Sequence, residues 1–345
     1  MDRISRITRR RLLRNAAALS ALPLALKAAP AAAQAPAVIK LPNKIVLKCA
    51  TIVVEKFPYV DGLRFWKKSI EEKTGGSVEM QIFHSAQLGD ERTINEGILA
   101  GSIHIGIGAG AWGGFVPAYN VVELPFLIRD LPHSYRLADG KLGERIAAQA
   151  EPKGFKVLTY YSTGDQHFQT RSVQIKSLAD FAGLKIRVLQ NKAVIDGFRT
   201  LGAVPAPLPY PEIYTALQQG TVDGTANDLL TVSFGKFYEV AKYFTMSSYL
   251  VEPRPVIMSK AYFDGLPADL QAALAATAKE SAVYERKVFE ERLASAKEDC
   301  IKNGMTFLEL TDREKWVEKV RPAWAEFAKT VPGAAELVQA VQENA

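Results

Sequence analysis

Apolar and polar positions follow two rhythms along this chain. Alternating or continuous apolar runs, rich in Val, Ile, Phe and Tyr, predict strands at residues 45–54, 78–83, 103–107, 155–161 and 185–189. Apolar residues at helical spacing predict helices over 59–74, 90–100, 193–201 and 212–219. Strands alternating with helices predict an α/β fold, with mixed, mostly parallel sheets covered by helices and ligands received at the carboxyl ends of the strands.

A short internal similarity adds a second level of organisation. Ile98-Leu99-Ala100-Gly101-Ser102-Ile103-His104 and Leu217-Gln218-Gln219-Gly220-Thr221-Val222-Asp223 share one order: helix end, glycine stop, small hydroxyl residue, strand. Two similar lobes facing one cleft would explain it. From 267 to 303 the pattern is helical for about ten turns, with Pro267 suited to the first turn and Gly304 to the stop. Leu270, Leu274, Ala278, Ala282, Phe289, Leu293 and Ile301 keep no strict heptad, which excludes a coiled coil. One long helix across both lobes and two consecutive helices are both compatible with that spacing.

Composition changes this picture little, but the distribution of charge changes it substantially. The 345 residues are 48% hydrophobic with a formal net charge of +6, which would suit a nucleic-acid partner if the charge lay on the folded body. Residues 1–35 hold seven of the 43 Lys and Arg and one of the 37 Asp and Glu, so the remainder carries 36 of each sign. No nucleic-acid partner is therefore expected. The amino-terminal segment reads as an export signal. Thr8-Arg9-Arg10-Arg11-Leu12-Leu13-Arg14 precedes a mildly apolar stretch, and small residues run to Ala35. It is twin-arginine-like; Ala33-Gln34-Ala35 fits a cleavage site near Ala35, with a cut after Ala33 as the alternative because Pro36 follows. The expected destination is the periplasm. The two cysteines, Cys49 and Cys300, are too few for a Cys-rich zinc site and are expected to be separate buried thiols.

Several motifs suggest chemistry and lack its context. Gly108-Ala109-Gly110-Ala111-Trp112-Gly113 has the form of a dinucleotide loop, but Pro117 and Val121-Val122 follow where a phosphate-binding helix should run. A glycine-rich turn that brings backbone and Trp112 to a ligand is the better reading. Ser233-Phe234-Gly235-Lys236 and Lys73-Thr74-Gly75 match two marks of serine enzymes that recognise penicillin, in reversed order and without the third. His84, His104, His133 and His167 are scattered without ligand spacing. No metal, no cofactor and no enzymatic activity are expected.

A distributed set of residues carries a more specific signal. It comprises Ala86-Gln87-Leu88-Gly89-Asp90, Leu124-Pro125-Phe126, the run from Leu178 through Lys185-Ile186-Arg187-Val188, Leu201-Gly202-Ala203, Glu212-Ile213-Tyr214-Thr215-Ala216-Leu217-Gln218, Val222-Asp223-Gly224 and Lys236-Phe237-Tyr238-Glu239-Val240. In this order they resemble the DctP-type solute receptors of TRAP (tripartite ATP-independent periplasmic) transporters. The resemblance implies a two-lobed fold like that of periplasmic binding proteins, with a cleft between lobes and a long carboxy-terminal helix spanning both. Residues 36–162 with about 253–292 would form one lobe, 163–252 the other, and 293–345 a helical segment packing across them. It further implies a monomeric receptor that closes on an organic acid and delivers it to small and large membrane subunits. Arg187 takes the place of the arginine that clamps the ligand carboxylate, and Asn227 that of the pocket asparagine. A guanidinium suits the clamp because it offers planar paired donors.

The chain departs from the family pattern at three points. Thr163-Gly164-Asp165-Gln166-His167-Phe168-Gln169 lacks the second basic residue, Leu189 replaces a proline, and Ala226-Asn227-Asp228 replaces Glu-Asn-Pro. A ligand other than the family's commonest acids is therefore expected. Asp165 and Gln169 are candidates for binding hydroxyls of a sugar acid or hydroxy acid. Trp112, Phe168 and Tyr210 are candidates for its apolar face, with core packing as their alternative. Arg254 is either a second cationic contact or a hinge ion-pair partner.

Overall fold

The computed structural model describes residues 38–343, and the expected export segment lies outside the described residues. In chain order they form β1 (Ile45–Ala50), α1 (Pro58–Lys73), β2 (Val78–Phe83), α2 (Glu91–Leu99), β3 (Ile105–Ile107), α3 (Leu131–Asp139), α4 (Lys141–Ala150) and β4 (Phe155–Ser162). There follow β5 (Gln166–Thr170), α5 (Leu178–Phe181), β6 (Lys185–Val188), α6 (Lys192–Leu201), β7 (Val204–Pro207), α7 (Ile213–Gln219), β8 (Gly224–Asn227), α8 (Leu229–Phe234) and β9 (Tyr243–Leu250). The chain continues through β10 (Pro253–Ser259), α9 (Lys260–Asp264), α10 (Ala268–Lys302), β11 (Thr306–Glu309), α11 (Arg313–Phe327) and α12 (Ala334–Glu343).

Two mixed sheets organise the two lobes. The first has the order β2-β1-β3-β10-β4 and the second β11-β9-β5-β8-β6-β7. β1 pairs in parallel with β2 and β3, while β10 runs antiparallel between β3 and β4. In the second sheet β6 is parallel to β7 and β8, and β5 is antiparallel to β8 and β9. The chain passes from the first sheet to the second after Ser162, returns after Leu250, and passes over again after α10.

Local sequence explains the helices that bear on the cleft. On α1, Tyr59, Leu63, Trp66 and Ile70 recur at helical spacing and all are buried. α2 starts where the Asp90 carboxylate accepts from the Thr93 amide at 2.8 Å, and α6 where Asn191 accepts from the amides of Ala193 and Val194. The two similar seven-residue segments each close a helix on a left-handed glycine, Gly101 at φ 77° and Gly220 at φ 73°, and lead toward β3 in one sheet and β8 in the other.

α10 is one continuous helix of 35 residues, about 52 Å long at 1.5 Å per residue. It packs on α1 and β4 of the first lobe and on α8 of the second. Trp66 of α1 donates to Thr277 of α10 across 2.9 Å, and Ser233 of α8 donates to Asp299 near its end. That bond accounts for the serine of the Ser233–Lys236 motif, while the Thr74 hydroxyl of the other motif caps α1 through the Ile70 carbonyl. Residues 293–345 contain a strand as well as helices. β11 pairs in parallel with β9 at the edge of the second sheet, where Phe307 lies 5.3 Å from Phe244. α11 then packs on α6.

Candidate functional site

Strand ends from both sheets meet at one cavity. β6 and β8 bring Arg187 and Asn227 to their carboxyl ends, β5 contributes Gln166 at its start, and the first lobe adds Tyr59, Glu91, Ala109 and Arg254. Thr163, Leu189, Tyr210 and Asp228 add to the wall, with Thr51, Ile52, Val53, Phe57, Ile107 and Thr231 completing it. The space between the walls is about 520 Å³ including its open mouth, but only about 50 Å³ can hold the centre of a water molecule. The walls therefore stand close together.

Arg187 is 2% exposed. Its Nε donates to the Leu208 carbonyl at 2.9 Å, which fixes the plane of the guanidinium. Among the described residues no acceptor is bonded to its two terminal nitrogens, and the side chain lines the cavity. Burial pulls its pKa down to about 10, with Glu91 opposing the shift, so the group stays charged at neutral pH. A buried cation with fixed, unused donors is suited to receive a planar anion.

Arg254 lines the cavity wall and is ion-paired as well. One terminal nitrogen is ion-paired with Glu252, whose side chain is fully buried, and the other is buried without an acceptor. Burial works against its charge, but Glu252 and nearby tyrosines outweigh that and raise its pKa. Glu252 also accepts from Gln166 Nε2 at 2.7 Å, so one carboxylate ties the start of β5 to β10 across the return crossing. Asn227 is 5% exposed, and its Nδ2 donates to Thr225 at 3.1 Å. Tyr210 lines the wall, and burial raises its hydroxyl pKa.

Four candidates stand elsewhere. Trp112 is fully buried in the first lobe, edge-on to Tyr119 at 5.1 Å and Phe155 at 5.8 Å. The glycine-rich turn is tight for another reason: a Cβ on Gly110 would lie 2.8 Å from Leu189 Cβ, and Asn191 donates to the Gly110 carbonyl at 3.1 Å. Its glycines let the turn approach the second lobe, while Ala109 reaches the cavity. Phe168 sits among Phe181, Tyr249 and Trp316, with centroids 4.7 to 5.4 Å away. Gln169 is three residues further along β5 than Gln166, about 10 Å into the lobe, and donates to the Ala241 carbonyl. Asp165 accepts from the Ser248 hydroxyl at 2.8 Å, outside the cavity wall.

Sequence reasoning missed Glu91, Tyr59, Gln166 and Asp228. Asp228 caps α8 by accepting from the Thr231 amide at 2.9 Å, and burial raises its pKa to about 6. Glu91 is partly buried, and its one hydrogen bond comes from the Ala111 amide at 3.3 Å. Loss of water raises its pKa, while Arg254, that amide and Arg187 hold part of the rise back.

Residues 49–330 match the family model described as bacterial extracellular solute-binding protein, family 7 (DctP). The chain belongs to this family. The DctP family members it resembles include the 2,3-diketo-L-gulonate-binding periplasmic protein YiaO of Escherichia coli, 32% identical over 79% of this chain and 84% of that protein. The C4-dicarboxylate-binding periplasmic protein DctP of Rhodobacter capsulatus is 29% identical over 92% of this chain and 96% of that protein. Among solved structures, a TRAP periplasmic solute binding protein from Sulfitobacter sp. NAS-14.1 with bound β-D-galacturonate superposes with a TM-score of 0.84 at 30% identity, covering 87% of this chain and 100% of that one. One from Polaromonas sp. JS666 bound to D-erythronate gives 0.83 at 32% identity, covering 87% and 98%. The expected resemblance and the two-lobed α/β architecture are thus borne out, and the family is one of solute receptors rather than enzymes.

Proposed function

We propose that this DctP family receptor captures a sugar acid or related hydroxy acid in the cleft, with Arg187 pairing its carboxylate. The observation that carries this reading is the buried Arg187 guanidinium, oriented through Leu208 and with both terminal nitrogens unused at the cavity wall. The polar groups around it, Gln166, Asn227, Thr163 and the free nitrogen of Arg254, match a ligand with several hydroxyls better than an apolar acid. Relatives solved with galacturonate and erythronate support that class. Capture proceeds by closure: the acid enters between the lobes, is held by both, and favours the closed form that TRAP membrane subunits recognise in the periplasm.

The test is a thermal-shift screen, followed by calorimetry, against sugar acids, keto acids, dicarboxylates and aromatic acids. A ligand at about a hundred times its Kd is expected to add about 2.7 kcal/mol of stability. Arg187→Ala is expected to weaken the hit by about 3 kcal/mol or more, because the buried carboxylate is left unpaired. A hit indifferent to Arg187 would overturn the clamp.

A further inference from the structure

The cavity lacks the positive charge needed to take an anion unaided. Its wall carries two cations, Arg187 from β6 and Arg254 from β10, and two acids, Glu91 from α2 and Asp228 from the start of α8. Arg254 is already paired with Glu252. Beside Glu252 lies Glu123, fully buried and with no donor for either oxygen among the described residues, and burial together with Glu252 raises its pKa well above the usual carboxylate range. Tyr59, Tyr119, Tyr210 and Tyr249 surround the group and are kept neutral by burial. Counted as carboxylates, Glu91, Asp228 and Glu252 outnumber the two arginines by one negative charge. A ligand carboxylate would add a second, in a space too narrow to keep much water.

One acid can give up its charge at little loss. Asp228 holds the Thr231 amide and hydroxyl at the start of α8, and Glu252 holds Arg254 and Gln166. Glu91 has a single long bond from Ala111, which its carbonyl oxygen can still accept after protonation. Protonated, it also gains an O–H that can donate to a ligand hydroxyl. A carboxylate bound at Arg187 would moreover cancel one of the charges that keep Glu91 ionised.

We propose that Glu91 is a specificity-determining residue that takes up a proton as the ligand binds, admitting hydroxylated monocarboxylates and disfavouring a second carboxylate. Loss of water already raises the Glu91 pKa, in the direction this requires. The inference rests on the sugar-acid reading of the site and adds to it the protonation state in which the site works.

Calorimetry of the whole protein at pH 8, in phosphate and in Tris, with D-glucuronate, D-galacturonate, D-erythronate and succinate separates the possibilities. Heats that differ between buffers are expected to report uptake of about half to one proton per monocarboxylate bound. The wild-type Kd should weaken with rising pH by the factor that the measured uptake requires, at most tenfold per pH unit, and Glu91→Gln should abolish both the uptake and the slope. Buffer-independent heats in the wild type, or uptake that persists in Glu91→Gln, overturn the role of Glu91 while leaving the sugar-acid reading intact. Succinate binding as tightly as the sugar acids removes the selectivity. Absence of heat from all four acids removes the sugar-acid reading, and the role of Glu91 with it.

Discussion

On α10, Glu285 is fully buried and has one donor, the Ser162 amide at 3.0 Å, for its two oxygens. Burial raises its pKa to about 8, with the Ser162 bond and Arg286 pulling the other way. The folded chain therefore binds this proton more tightly than the unfolded chain, and the carboxyl costs stability progressively as pH rises from about 4.5 to 8. Glu285→Gln keeps an acceptor for Ser162 and removes that cost. It is expected to stabilise the protein by roughly 2–3 kcal/mol at pH 7 and hardly at pH 4.5, measured by urea denaturation at both pH values. Cys49 and Cys300 are both fully buried and unbridged, with pKa values raised by burial, to about 12 for Cys300. Ellman's reagent is expected to label neither in the native protein within minutes and both after denaturation. At the cleft, the sequence pointed to Arg187, Asn227, Tyr210 and Arg254, and all four line the cavity. It gave no such signal for Glu91 or Gln166, because an acid after a helix cap and an amide at a strand start look like solvated residues until the facing lobe covers them. Asp165, Phe168 and Gln169 were drawn in because the 163–169 stretch departs from the family pattern, whereas Asp165 turns to Ser248 and β5 carries Phe168 and Gln169 away from the cleft at about 3.3 Å per residue.

Elements built from local apolar runs were legible. The strand expected at 78–83 and the helices expected at 59–74 and 193–201 agree with β2, α1 and α6 to within a residue at each end. Among the elements that escaped are strands made so by their neighbours rather than by their own residues. β5 reads Gln-His-Phe-Gln-Thr and β8 Gly-Thr-Ala-Asn, polar stretches buried because each lies inside the second sheet. β7 carries two prolines, which its edge position permits. The first crossing between sheets depends on Gly164, at φ 75°, where an added Cβ would come within 2.3 Å of the Phe289 ring on α10. Gly164→Ala is expected to cost about 2 kcal/mol or more, from the left-handed backbone and the displaced ring together, read as a lowered urea midpoint with an unchanged slope.

Across the whole molecule, the two lobes share their interior. One apolar cluster joins β1, α1 and β10 of the first lobe to α7, α8 and α10, and α10 touches both sides of the cleft. Thermal or urea unfolding followed by tryptophan fluorescence and by circular dichroism is therefore expected to show one coincident transition, and two separated transitions would mean that the lobes are held apart energetically. The threading of β10 has a further consequence, during synthesis. A ribosome that has released residue 250 has emitted all but one strand of each sheet, yet the first sheet is still in two pieces, since β3 and β4 have no common neighbour until β10 enters between them. Until then both present open edges of the kind that recruit other chains. The nascent protein stays vulnerable until its last quarter emerges, so an export pathway that acts early meets an unfinished fold, and one that waits for the end meets a closed one.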